Sequence, residues 1–247
     1  VEDRFYKMNS AFWGEFFGTM VFLAFGIACS AGMNLKYSLT KGKSFLFVGL
    51  TWGLAITMGV YTAMSFGSVG NLDPAVTLAF AMYGMVPWSQ VPAYMIGQFL
   101  GALVGALIAV VAYLPHFYKT TEEEGNDIGV FATGPKIKTH QWFYIISEVV
   151  ATFFLCFILM NLGNSFAKGL QPIVAGLLIG ILIQAFGGQT GAAMNPARDL
   201  APRILHWMLP FAKGDSNWGY AWIPVVGPFI GGALAGGLQC LFKFALG

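Results

Sequence analysis

Two stretches decide the fold: Gly191-Ala192-Ala193-Met194-Asn195-Pro196-Ala197-Arg198-Asp199 and, in the first half, Val69-Gly70-Asn71-Leu72-Asp73-Pro74-Ala75-Val76-Thr77. In each, a polar residue is followed at once by Pro and Ala. Asp and Asn are good helix N-caps, and Pro is favoured at the first helical position. Both therefore predict helices that start abruptly after a non-helical stretch, Phe66–Leu72 and Gly187–Met194. The apolar pieces they open, Leu72–Met85 and Met194–Leu209, are shorter than the ~20 residues a spanning helix needs. Short, Gly/Pro-interrupted apolar pieces at corresponding points of two halves point to a site at a membrane midplane.

The rest of the chain supplies the membrane spans. Its 247 residues are 57% hydrophobic and only 10% charged, against roughly 25% charged in soluble domains. A mean hydropathy of +0.68 excludes a soluble globule and a disordered chain alike. Six segments have the length and character of spans: Ala11–Met33, Ser44–Ser65, Val91–Tyr113, Trp142–Leu162, Pro172–Phe186 and Ala221–Ala245. The fifth is short, which predicts a start a few residues earlier. Val1–Ser10 is polar and is no secretory signal. Cys29, Cys156 and Cys240 are far apart in apolar runs and read as buried reduced thiols. A net charge of +2 without a basic stripe gives nucleic acid no purchase. No catalytic triad, nucleotide loop or metal cluster points to an enzyme, a cofactor or a bound metal.

The halves match elsewhere too. Trp13-Gly14-Glu15-Phe16-Phe17-Gly18-Thr19 parallels Ile146-Ser147-Glu148-Val149-Val150-Ala151-Thr152. Likewise Gly97-Gln98-Phe99-Leu100-Gly101-Ala102 parallels Gly227-Pro228-Phe229-Ile230-Gly231-Gly232. The fold class is thus an all-α membrane protein: six transmembrane helices plus two re-entrant half-helices in an inverted repeat. One channel domain covers 1–247, with repeat one at about 9–113, a linker at about 114–140 and repeat two at about 141–247. Three spans per half place the half-helices on opposite faces, meeting at their N-termini.

Over essentially its whole length the sequence resembles the major intrinsic proteins, the aquaporin and glycerol-facilitator family, which carry one Asn-Pro-Ala motif per half. The second is intact at Asn195-Pro196-Ala197; the first reads Asp73-Pro74-Ala75. Arg198-Asp199 with Arg203, and Pro224-Val225 opening the last helix, resemble the aquaglyceroporin branch. The resemblance implies a selectivity filter of Trp52, Ile183, Ala192 and Arg198. Ala192 stands where bacterial glycerol facilitators usually have an aromatic, and Ile183 where they have a small residue. It also implies a homotetramer in the lipid bilayer of the cell membrane, with both termini cytoplasmic. That topology puts Lys36, Lys41, Lys43, Lys119, Lys136, Lys138 and Lys213 outside and Arg4, Lys7, Lys168 and Lys243 inside. The positive-inside rule prefers the reverse.

The physics of such a pore can be read directly. Non-helical backbone at membrane depth is tolerated where it lines a cavity. The carbonyls of Val69, Gly70 and Asn71 and of Gly191, Ala192 and Ala193 form an acceptor ladder, and Asn195 can donate an N–H to a passing hydroxyl. Trp52 and Ile183 offer an apolar wall with the Arg198 donors opposite. Half-helix N-termini and an Arg excluding cations and protons is the established physical account of aquaporin-type selectivity. Glu15 and Glu148 are costly in lipid and should hold the N–H groups of the re-entrant loops, while Asp199 braces its loop or meets Arg203. Asp73 reads either as a plain N-cap or as a functional intramembrane acid. Facing helix N-termini favour its anion and desolvation its acid, so both states stay open. Met82, Met85 and Met95 read as packing, and Glu122-Glu123-Glu124 as a solvated loop. The expected function is passive passage of glycerol and related polyols with water. Undissociated lactic acid is the alternative solute, and a proton-coupled transporter the alternative of another class.

Overall fold

The structure is a computed structural model that describes residues 2–162 and 167–246. Its α-helices among them are α1 (Glu2–Asn34), α2 (Phe45–Ser65), α3 (Pro74–Tyr83), α4 (Val91–Ala112), α5 (Leu114–Lys119), α6 (Tyr144–Leu162), α7 (Gln171–Thr190), α8 (Pro196–Met208) and α9 (Ile223–Leu246). Six of these, α1, α2, α4, α6, α7 and α9, are long and apolar enough to cross a membrane. The two short helices begin as their sequences require. Asp73 is extended (φ −153°) and its carboxylate accepts from the Ala75 N–H, with Pro74 at the first helical position. Asn195 is extended (φ −144°) and accepts from the Arg198 N–H, followed by Pro196.

The packing exchanges the halves. Helix α1 lies against α2 and α4, and α6 against α7 and α9. Helix α3, from the first half, seats mainly on α9, and α8 packs on α4 as well as α9. Glycines permit the closest of these contacts. A Cβ on Gly97 would come within 2.6 Å of the Phe12 carbonyl of α1, and one on Gly227 within 2.8 Å of the Glu148 Cβ of α6. In lipid, where no hydrophobic force drives helices together, such close backbone approach is what holds them.

Two expectations need correction, the start of the fifth span and the extent of the second non-helical stretch. The fifth span does not start earlier to any extent; it runs on from Gln171 to Thr190, through Gly187 and Gly188. Gly191, at φ 97°, is the residue that stops it, by a left-handed C-cap whose N–H bonds the Gly187 carbonyl. Gly187 is a packing glycine, since a Cβ there would lie 2.9 Å from the Phe45 ring. The non-helical part of the second loop is therefore shorter than Gly187–Met194. The polar N-terminal segment continues the helix, because α1 begins at Glu2. The linker carries α5 and buries Phe117, Asn126 and Phe131. The side chains of Arg4, Lys7 and Lys168 lie outside the described residues.

Candidate functional site

The two re-entrant loops share one backbone device. Gly70 and Leu72 in the first have φ of 75° and 54°, and Ala192 and Met194 in the second have 47° and 53°. Left-handed φ at alternate residues turns successive peptides and keeps the chain out of a helix. Three of the four are not glycine, and each such residue costs about 1–2 kcal/mol. Each loop is held by a buried carboxyl. Glu15 accepts from the Ser68 hydroxyl, the Asn71 N–H (3.0 Å), the Leu72 N–H (2.7 Å) and the Gln98 amide (2.7 Å). Glu148 accepts from the Thr190 hydroxyl (2.8 Å), the Ala193 N–H (3.1 Å) and the Met194 N–H (2.9 Å). Each carboxyl thus bonds two N–H groups of its own half's re-entrant loop. Gln98, which also donates to Thr77 at 2.9 Å, has no counterpart in the second half because Pro228 stands there.

The loops and the spanning helices enclose a cavity of about 840 Å³. Its wall runs from Asn34 and Lys136 at one end to Met64 and Gln171 at the other, passing Trp52, Asp73, Ile183, Ala192, Asn195 and Arg198. Val69, Gly70, Asn71, Gly191 and Ala193 also line it; Pro74, Ala75, Pro196 and Ala197 are buried behind. At the centre Asn195 donates one amide hydrogen to the Leu72 carbonyl at 2.8 Å, stitching one loop to the other. One of the two hydrogens expected to serve a passing hydroxyl is therefore already committed. Asp73 caps its own helix through a 2.7 Å bond from the Ala75 N–H and faces the same cavity.

Toward the linker side, Arg198 is not opposite Trp52 as expected but stacked on it, its guanidinium carbon 4.1 Å from the ring centroid. Its Nη1 reaches the Phe131 carbonyl at 3.4 Å. Asp199 bonds both the linker and Arg203. It accepts from the Thr133 N–H (2.8 Å) and hydroxyl (2.7 Å), and it pairs with Arg203 at 2.7 Å, with both side chains fully buried. Arg203 returns to the Thr133 carbonyl at 2.9 Å, and Gly134 donates to the Thr190 carbonyl at 2.9 Å.

Sequence reasoning missed this strap. Ala132, Thr133, Gly134 and Lys136 of the linker form cavity wall, and no local pattern announces them. Met85, read as packing, lines the other end. Within the acidic run, Glu124 pairs with Lys36, which holds the Glu124 carboxyl below the usual carboxylate range and raises the Lys36 ammonium. Of the three cysteines, Cys29 and Cys156 are buried and free as expected, whereas Cys240 is only partly buried.

Comparison with known proteins gives consistent results. A sequence model described as Major intrinsic protein matches residues 3–238. The chain is 51% identical to the glycerol uptake facilitator protein 2 of Lactiplantibacillus plantarum, over 94% of this chain and 99% of that one. It is 46% identical to the glycerol uptake facilitator protein of Bacillus subtilis, over 92% and 82% respectively. Its structure resembles that of the aquaglyceroporin from Plasmodium falciparum with a TM-score of 0.82 and 25% identity, covering 94% of this chain and 95% of that one.

Proposed function

The chain belongs to the major intrinsic proteins, a family of membrane channels, and from that premise we propose that it passes glycerol and related small polyols, with water, passively along the central cavity. One observation carries the reading: a single cavity is walled by both re-entrant loops and by Arg198, which lies over Trp52 and has no carboxylate partner among the described residues. Trp52, Ile183, Ala192 and Arg198 act as the selective constriction. A polyol's hydroxyls take the Arg198 donors, the second hydrogen of Asn195 and the carbonyls of Val69, Gly70, Asn71, Gly191 and Ala193; its carbons slide over Trp52 and Ile183. This is a pore with polar groups on one side and apolar groups on the other, as small neutral solutes require. Proteoliposomes given an inward glycerol gradient should reswell several-fold faster than empty vesicles in stopped-flow light scattering. Reswelling at the empty-vesicle rate overturns the reading.

The multi-pass chain is read as a homotetramer in the cell membrane, with termini cytoplasmic and lipid around the outer helix faces. Repeat one is about 9–113, the linker about 114–140 and repeat two about 141–247. Undissociated lactic acid is the second solute, favoured by Ala192, which leaves the loop side of the constriction without a ring. Glycerol ranks first because the relatives at 46–51% identity carry that name. Labelled lactic acid uptake that rises as pH falls would support the second solute, and uptake at the empty-vesicle rate removes it.

A further inference from the structure

Charge is distributed unevenly along the cavity. Among the described residues on its wall, the ionisable groups are Asp73 at the centre and, toward the end framed by Asn34, Arg198 and Lys136. The strap fixes Lys136 at that mouth: Gly134 is tied to the Thr190 carbonyl at 2.9 Å and Pro135 is buried. Neither cation has a carboxylate partner among the described residues. The acids of the same face are turned elsewhere. Asp199 is taken by Thr133 and Arg203, Glu124 by Lys36, Asp127 by the Gly129 N–H (2.8 Å) and Asp215 by the Asn217 N–H (3.1 Å). Glu122 and Glu123 are exposed and off the cavity wall.

The presentation of Arg198 narrows the ligand. Trp52 lies against the guanidinium, whose carbon is 4.1 Å from the ring centroid, and Arg198 remains on the cavity wall. Edge-on N–H pairs match the two oxygens of a carboxylate, and Arg binds such planar anions in bidentate fashion where Lys acts as a point charge. The single bond Arg198 makes to Phe131 is long, at 3.4 Å, and Ala192 leaves the neighbouring wall small. Farther in, no cation compensates an anion. The helix-end N–H groups of Ala75 and Arg198 are already held by Asp73 and Asn195.

We propose that this mouth is a binding site for a small carboxylate anion, held edge-on by Arg198 with Lys136 at longer range, and that the bound anion obstructs the polyol path rather than following it. The site deepens the polyol reading, on which its flux readout rests. The test measures glycerol flux into proteoliposomes with acetate replacing chloride at constant ionic strength, at about pH 8 so that the acid is ionised. Acetate should halve the flux at roughly 1–50 mM, while acetamide, its uncharged analogue, should not. With each protein normalised to its own rate in chloride, Lys136→Gln should raise the half-blocking concentration about two- to five-fold, the range of an exposed charge pair. No block up to ~100 mM, or a block that Lys136→Gln leaves unmoved, overturns the site. Absence of glycerol flux in chloride would overturn the polyol reading alone. Equilibrium binding of radiolabelled acetate to the purified full chain, parent against Lys136→Gln, then decides the site by itself: saturable binding weakened in the variant supports it, and no saturable binding overturns it.

Discussion

Asn195 gives one amide hydrogen to the Leu72 carbonyl, and in the matching loops residue 73 corresponds to Asn195 and Met194 to Leu72. An Asn at 73 has a hydrogen to return that bond; an ionised Asp has none. Asp73→Asn keeps the N-cap, which either residue makes equally well. The added bond should contribute about 0.5–1.5 kcal/mol, as neutral hydrogen bonds do. Thermal unfolding in detergent should then move up by roughly 2–4 °C per kcal/mol for a chain of this size, with glycerol flux retained. A lower midpoint, or lost flux, would show that the carboxyl itself is required. The caps at Asp73 and Asn195 were legible in the sequence because a polar residue before Pro is a local signal. Gln98, Thr133 and Phe131 were not, since their roles come from a chain that folds back over long sequence distances. The shared hydrogen of Asn195 was hidden for the same reason.

Element by element, apolar length placed all six spans to within a few residues at most ends, because twenty apolar residues in lipid have little choice but to be helical. It erred where glycine had to be interpreted. Gly187, Gly188 and Gly191 look alike in the sequence, yet only Gly191 adopts the left-handed conformation that ends α7. The linker's buried cluster was not legible because its residues, Phe117 and Phe131 in ring contact and Asn126 bonded to the Phe117 and Phe211 carbonyls, follow no regular period. The glycines of α4 offer a direct test. A side chain at Gly101 would run into the Phe16 carbonyl of α1, a rigid backbone atom. Gly101→Val should cost at least the ~1–3 kcal/mol of an overpacked core, read as a lower midpoint in size-exclusion thermal challenge. A midpoint equal to the parent's would mean that α1 and α4 are not held by this contact.

On the scale of the whole molecule, the Lys/Arg distribution and the proposed topology point to opposite faces. The proposed orientation places the linker, with its lysines, on the outer side, against the positive-inside preference. Lys138 is exposed, Cys29 and Cys156 are buried and Cys240 is only partly so, which makes a new thiol readable. In intact cells Lys138→Cys should react with a membrane-impermeant maleimide above the parent's background; reaction only after lysis would invert the topology. The exchange of half-helices also bears on how the chain is made. Helix α3 is synthesised early, yet its main seat is α9, which follows it only after the linker and most of the second half. Until then Pro74–Tyr83 lacks its main wall, and the Leu72 carbonyl has to wait for Asn195 in the second half. The pore therefore cannot be assembled stepwise from one end. It closes only when α9 arrives, and any truncation before α9 leaves the first half-helix in the bilayer without its main seat.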